Sequence, residues 1–239
     1  NEAKQENPKT VEKLPMNKKK VKIIIGIIIL VVLVIGIIFT YMLISSSIWE
    51  GMDETEVTVA EFEKCVTAGS CSKHNFKTFS YDEKCNYGTN NNKHPMNCVN
   101  FLGANEFCKW VGKMLPTEEQ LKHYIDVGDW NTYSGSNYAD EVAWYKDNSG
   151  NTTHEVGTKK SNGYGLFDMS GNVWEWTNTP SGVIFGGGYD SHDGSIQVDS
   201  RYEVAPNSID NRIGFRCVQY HYVKYFSKRF VHKMSNFYE

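Results

Sequence analysis

The run Ser191-His192-Asp193 contains the three residue types of a hydrolytic triad. Neighbours on one short loop cannot line up as nucleophile, base and orienting acid, so this run is no triad. The second reactive set is six cysteines: Cys65, Cys71, Cys85, Cys98, Cys108 and Cys217. Cysteines in such number either crosslink the chain or hold a soft metal. The sequence has no Cys-x-x-Cys pair and no histidine at ligand spacing, which disfavours zinc. An even number then reads as three disulfides, and disulfides require an oxidising compartment.

A route to that compartment lies upstream. Ile23 to Ile44 carries no charged residue. As a helix it would cover ~33 Å, enough for a bilayer core of ~30 Å. Signal peptides have shorter apolar runs, so an uncleaved anchor is expected, although Ser45, Ser46 and Ser47 loosely imitate a cleavage site. Lys18, Lys19, Lys20 and Lys22 precede the span, while Glu50, Asp53, Glu54 and Glu56 follow it. The positive flank predicts residues 1–22 as a cytoplasmic polar tail and residues 45–51 as a linker, with Trp49 at the outer interface. The main domain is then periplasmic or on the cell surface. A net charge of -3 gives no general attraction to nucleic acid.

The elements after the linker are legible in part. Thr58-Val-Ala-Glu61 is a capping box ahead of the apolar stripe Val59, Phe62, Cys65 and Val66, which predicts a helix over about 58–68. Residues 69–95 read as a cysteine-stapled loop. Asn100 is a candidate cap for a second helix with Phe101, Ala104, Phe107, Cys108 and Val111 on one face. Pro116-Thr117-Glu-Glu-Gln120 opens a third. Beyond Tyr124 isolated aromatics, Asn, Asp and many of the 20 glycines predict short strands and long ordered loops. Trp174 and Trp176 alternate around Glu175 as in a strand, and both read as packing residues. Phe215 to Val218 reads as a closing strand.

Several blocks, taken in order, resemble the formylglycine-generating-enzyme (sulfatase-modifying factor) family. They are Glu56-Val-Thr-Val-Ala-Glu-Phe62, His94-Pro-Met-Asn-Cys-Val99 running into Ala104-Asn-Glu-Phe-Cys-Lys-Trp110, Leu115-Pro-Thr-Glu-Glu119, and Val142-Ala-Trp-Tyr-Lys-Asp-Asn-Ser149 with His154-Glu-Val-Gly157. Asn162-Gly-Tyr-Gly-Leu-Phe-Asp-Met-Ser-Gly-Asn-Val-Trp-Glu-Trp176 is the most specific, followed by Gly186-Gly187 and Arg212-Ile-Gly-Phe-Arg-Cys217. The resemblance spans nearly all of residues 52–218. It implies an α+β, C-type-lectin-like fold with little regular secondary structure.

The resemblance also implies a Ca²⁺ site, with ligands from the side chains of Asp168 and Glu175 and the carbonyls of Gly171 and Val173. Such oxygen donors suit a hard cation. The alternative is that Asp168 caps a turn and Glu175 pairs with a buried arginine. Enzymes of the family bind copper through two cysteines shortly after a Gly-Gly-Ser-aromatic turn. The matching turn here is Gly186-Gly-Gly-Tyr189, which places Ser191 at the first cysteine position and Ile196 near the second. Phe185 replaces the family's arginine before Gly-Gly. Between Cys108 and Cys217 there is no cysteine, so copper is not expected. The resemblance pairs Cys108 with Cys217. For the other four, Cys65 with Cys98 and Cys71 with Cys85 are favoured, because Cys65 lies on the buried helical stripe.

These features point away from catalysis and toward a membrane-anchored recognition or scaffold module. Its expected binding face is the 189–211 loop, with Tyr189, His192, Arg201 and Tyr202 suited to protein or glycan. Two rivals stand beside it: a permanent structural subunit of a membrane complex, and an oxidoreductase with altered chemistry. The basic, aromatic extension 219–239 is expected to dock on a partner or on membrane headgroups, its rival being packing on its own domain.

Overall fold

The computed structural model describes residues 18–46, 51–128 and 130–219. The chain divides into two compact units, residues 1–48 and 49–239. The first unit contains α1, Lys18–Ser46, a helix of 29 residues. Its side chains are described over residues 22–38, all of them exposed. Among the described residues no helix is long and apolar enough to cross a membrane. Trp49 and the extension from Tyr220 onward lie outside the described residues.

The second unit is loop-rich and mixed α/β. α2 (Val59–Thr67) starts where its capping box requires: the Thr58 hydroxyl accepts from Glu61 N–H, and the Glu61 carboxylate accepts from Thr58 N–H. α3 (Phe101–Trp110) is capped by Asn100, whose side chain accepts from Gly103 N–H at 2.9 Å. Val111 falls on the cap beyond the last turn and is exposed, so it leaves the buried face expected of it. α4 (Glu118–Ile125) carries the second capping box, between Thr117 and Gln120. A single turn, α5 (Ala139–Val142), follows.

Among the described residues six short strands complete the unit. β1 (Lys113–Met114) pairs antiparallel with β6 (Val218–Gln219). β2 (Trp174–Trp176), β3 (Val183–Phe185), β4 (Arg201–Glu203) and β5 (Ile213–Gly214) form one sheet in the order β4-β3-β2-β5. β2 and β5 run parallel. The closing segment is therefore two strands rather than one over Phe215–Val218. Between them the chain leaves the sheet so that Arg216 can turn inward, as described below.

The main core joins α2, α3, β2 and β5. Phe62 stacks on Phe107 with ring centroids 5.8 Å apart, and Phe107 meets Phe215 edge-on at 5.6 Å. Trp176 is fully buried and donates its indole N–H to the Val99 carbonyl at 2.9 Å. Trp174, two residues earlier on the same face of β2, is only partly covered.

All six cysteines are paired. Cys108–Cys217 ties α3 to the closing segment, as the resemblance implies. The remaining two correct the sequence expectation: they are Cys65–Cys71 and Cys85–Cys98, not Cys65–Cys98 and Cys71–Cys85. After α2 the chain folds back on the helix end, with Ser70 and Cys71 N–H both donating to the Cys65 carbonyl, so Cys71 arrives 5.3 Å (Cα to Cα) from Cys65. Asn97 holds the other pair in register. Its side chain accepts from Asn86 N–H and donates to the Lys84 carbonyl, bracketing Cys85 beside Cys98.

Replacing Cys108 and Cys217 together by alanine is expected to cost several kcal/mol, at most ~5, because that bond closes the longest loop. The Cys65/Cys71 double replacement closes a far shorter loop and is expected to cost less. Denaturant unfolding of both variants checks the ranking.

Candidate functional site

Two places concentrate polar chemistry: a buried charge cluster behind the sheet, and an open groove in front of it.

The cluster is built on the turn from Asp168 to Glu175. Asp168 and Asn172 both adopt left-handed backbone, with φ of 56° and 59°. Gly171 has φ 83°, and a Cβ there would lie 2.4 Å from the Trp144 carbonyl oxygen, so only glycine fits. This turn delivers Asp168 and Glu175 to Glu56 from the N-terminal segment and to Arg216 from the closing segment. All four are buried. Arg216 Nε donates to both Glu175 oxygens, at 2.9 and 2.8 Å, and Nη2 donates to Glu175 Oε1 at 2.7 Å. Nη2 also donates to the Phe167 carbonyl, and Nη1 to those of Asp53 and Glu54. Every donor position of the guanidinium is thereby used. Glu56 accepts from the Asn172 amide at 2.8 Å and from Val173 N–H at 3.2 Å.

Three carboxylates thus share one arginine. Burial pushes Glu56 well above the usual carboxylate range, and the charges of Asp168 and Glu175 push it further, against Arg216 and Asn172. Burial likewise raises Asp168 to about 6, opposed by the Gly157 N–H and Arg216 and assisted by Glu175. Gly157 N–H donates to Asp168 Oδ2 at 2.6 Å, whereas Asp168 Oδ1 is buried and has no partner among the described residues. Burial alone would lower Arg216, but Glu175 first, then Glu56 and Asp168, more than offset it.

The expected Ca²⁺ ligands are therefore together on one turn, and the alternative pairing of Glu175 with a buried arginine is present as well. Among the described residues no three His, Cys, Asp or Glu side chains are grouped to hold a metal. A cation here would rest on Asp168 Oδ1 and backbone carbonyls. The unpartnered oxygen and the surplus of acids suit one. Glu56 and Arg216 were missed as site residues, although both lie inside blocks that carry the resemblance.

The groove encloses about 360 Å³. Trp174 and Tyr202 wall it, with rings 6.0 Å apart. Ser191, His192, Asp190 and Arg212 line the rest. Arg212 clasps Asp210 in a fork, Nε to Oδ1 at 2.8 Å and Nη2 to Oδ2 at 2.5 Å, with Asp190 at 3.9 Å. Burial raises Asp210, but the Arg212 hydrogen bonds and charge outweigh it and hold the carboxyl low. Ser191 Oγ accepts from Gly188 N–H, His192 Nε2 lies 3.1 Å from Lys146 Nζ, and Asp193 accepts from Gly194 N–H. The three residues of the apparent triad face different partners.

Of the four expected binding residues, His192 and Tyr202 line the groove. Arg201 is exposed and sits on the far side of β4, bonded to Glu118 at 2.8 Å and Glu203 at 2.9 Å. Tyr189 is a correction. It is buried, with its hydroxyl donating to Asn211 Oδ1 at 2.6 Å. Trp174, read as a packing residue, instead leaves one face to the groove. Ser191 stands on the groove wall, while Ile196 is fully buried.

Residues 51–221 match the model of the sulfatase-modifying factor enzyme 1-like domain, and the chain belongs to that family. It is 29% identical over 166 residues to the mouse (Mus musculus) formylglycine-generating enzyme, covering 54% of this chain and 45% of that protein. It is 30% identical over 150 residues to the mouse inactive C-alpha-formylglycine-generating enzyme 2, covering 52% and 48%. The chain thus spans about half the length of these relatives. Treponema denticola variable protein 1 shares the fold, with a TM-score of 0.56 and 21% identity over 70% of this chain and 82% of that one.

Truncating Arg216 to alanine strands buried carboxylates without a counter-charge and is expected to cost about 3–5 kcal/mol. A pH dependence follows from Asp168. With its folded pKa raised from 3.8 to about 6, the fold favours the protonated acid, so this stabilisation is full below about 3.8 and lost as pH rises through about 6. In metal-free buffer Asp168→Asn is expected to remove that slope, worth roughly 3 kcal/mol at pH 7. Urea unfolding of parent and variant between pH 4 and 7.5 checks it; parallel curves exclude the effect.

Proposed function

We propose that this chain is a non-catalytic recognition module, held at a membrane surface by residues 23–44, that binds protein or glycan through the groove between Trp174 and Tyr202. The observation that carries the reading is the groove wall at Ser191. Where the family resemblance places a redox thiol, this chain presents a hydroxyl, and its six cysteines are all spent in disulfides. A serine hydroxyl is a poor ligand for Cu(I), which prefers thiolates. The groove keeps its aromatic walls and its Asp190–Arg212–Asp210 fork, groups that recognise a ligand by stacking and hydrogen bonding. A relative named as inactive is consistent with a fold retained for binding.

Ca²⁺ is proposed as a structural ion at Asp168. It would be held with the carbonyls of Gly171 and Val173 and the Glu175 carboxylate, and it would neutralise the acid surplus around Arg216.

Two measurements test these readings. Partners captured by the full chain from membrane extracts are expected to be lost with Trp174→Ala or Tyr202→Ala, at unchanged melting temperature. Conversion of a sulfatase-type cysteine peptide by the copper-treated chain is the outcome that supports the oxidoreductase reading instead. For the ion, Ca²⁺ is expected to raise the parent's melting temperature at pH 7 and chelator to reverse it, with Asp168→Asn insensitive to both. Equal melting with and without Ca²⁺ sinks the ion proposal.

A further inference from the structure

We propose that the groove walled by residues 66–87 is a second ligand site and that its ligand is an anionic oligosaccharide. This groove has a volume of about 830 Å³ and is lined by Lys73, Lys77, Thr78, Ser80, Tyr81 and Tyr87 among others. Residues 64–81 include Lys64, Lys73 and Lys77 and contain no aspartate or glutamate. Of the acids just outside that stretch, Glu63, Asp82 and Glu83, none lines the groove, and Asp82 accepts from Lys84 N–H and the Asn211 amide. Glu106 is engaged by Ser72 N–H at 2.9 Å, and Glu63 acts on Tyr87, whose phenol is raised by burial and by that charge and so stays a neutral donor.

The groove is rigid. Its two ends are pinned by Cys65–Cys71 and Cys85–Cys98. Its floor is the Phe76–Tyr87 pair, with ring centroids 4.9 Å apart, set against Phe62 at 5.2 Å from Phe76. Above this floor Tyr81, 69% exposed, lines the groove. Lys77 Nζ hovers 5.2 Å from the Tyr81 centroid. Large aromatics held open to solvent on a braced loop are a binding feature, since they lose little freedom when covered.

The chemistry favours sugar over peptide. Flat ring faces accept the C–H faces of pyranose rings, the Thr, Ser and Tyr hydroxyls match sugar hydroxyls, and the ammonium groups suit carboxylate or sulfate substituents. An extended acidic peptide would add to a free strand edge. The edge here is occupied: Lys77 N–H donates to the Cys98 carbonyl and Phe79 N–H to that of Tyr87.

The test presents the full-length chain to immobilised carboxylated and sulfated oligosaccharides, their neutral counterparts, and an oligoglutamate peptide. Anionic sugars are expected to be captured at least about tenfold better than neutral ones, with the preference weakened by 0.5 M salt, taken as about a 4 Å screening length. Lys73→Gln with Lys77→Gln, and separately Tyr81→Ala, are expected to reduce capture by about tenfold or more, ~1.4 kcal/mol, at unchanged melting temperature. The arginine versions of the two lysines are expected to restore it. Trp174→Ala should leave it intact, which separates this site from the groove over the sheet. The proposal is overturned by no anionic-sugar capture, by equal capture of neutral sugars, by variants that bind as the parent does, or by oligoglutamate binding as well as the best sugar.

Discussion

The buried guanidinium of Arg216 is the constraint on which the rest of the domain depends. It takes carbonyls from residues 53, 54 and 167 and both oxygens of Glu175, so it joins the entering segment, the long central loop and β2 at one point. A domain with so few hydrogen-bonded ladders has little regular backbone pairing to hold distant segments in register. An ion pair with every donor satisfied does this through direction as well as energy. The break between β5 and β6, which belong to different sheets, falls where Arg216 turns inward.

The cluster also explains why the front groove is well formed. Glu175 and Trp174 are neighbours on β2, one turned back to Arg216 and the other forward to solvent. Fixing the first fixes the second. The same holds along the Gly186–Tyr189 turn: burying Tyr189 at Asn211 presents Ser191 and His192 outward. The side chains that line the groove on one face are positioned by charge and packing on the other.

The three longer helices were legible because their signals are local. A capping box is complete within four residues, and the apolar stripe behind it needs no partner to be recognised. The resemblance carried the fold, the Asp168–Glu175 turn and the Cys108–Cys217 bond. The other disulfides were not legible, because Cys71 reaches Cys65 only through a hairpin at the helix end, and Cys98 reaches Cys85 only through the Asn97 clamp. Tyr189 was misplaced for a related reason. In irregular loops alternation does not hold, so nothing in the residues around it said which way the ring would turn. Glu56 lies more than 110 positions from Asn172, whose side chain it binds, a separation at which no spacing rule operates.

The clasp at the ends of the domain has a mechanical consequence. Gln219 N–H donates to the Gly51 carbonyl at 2.9 Å, and β6 lies against β1, so the chain enters and leaves at one place. Tension between an N-terminal tether and anything gripping the C-terminal extension would load this short clasp directly and would barely reach the core. If the clasp gave way, the bond between Cys108 and Cys217 would keep the chain between them, a sequence separation of 109, from paying out as slack. Under tension the domain would yield first at this clasp, while the groove between Trp174 and Tyr202, whose lining lies wholly between Cys108 and Cys217, would keep its fold.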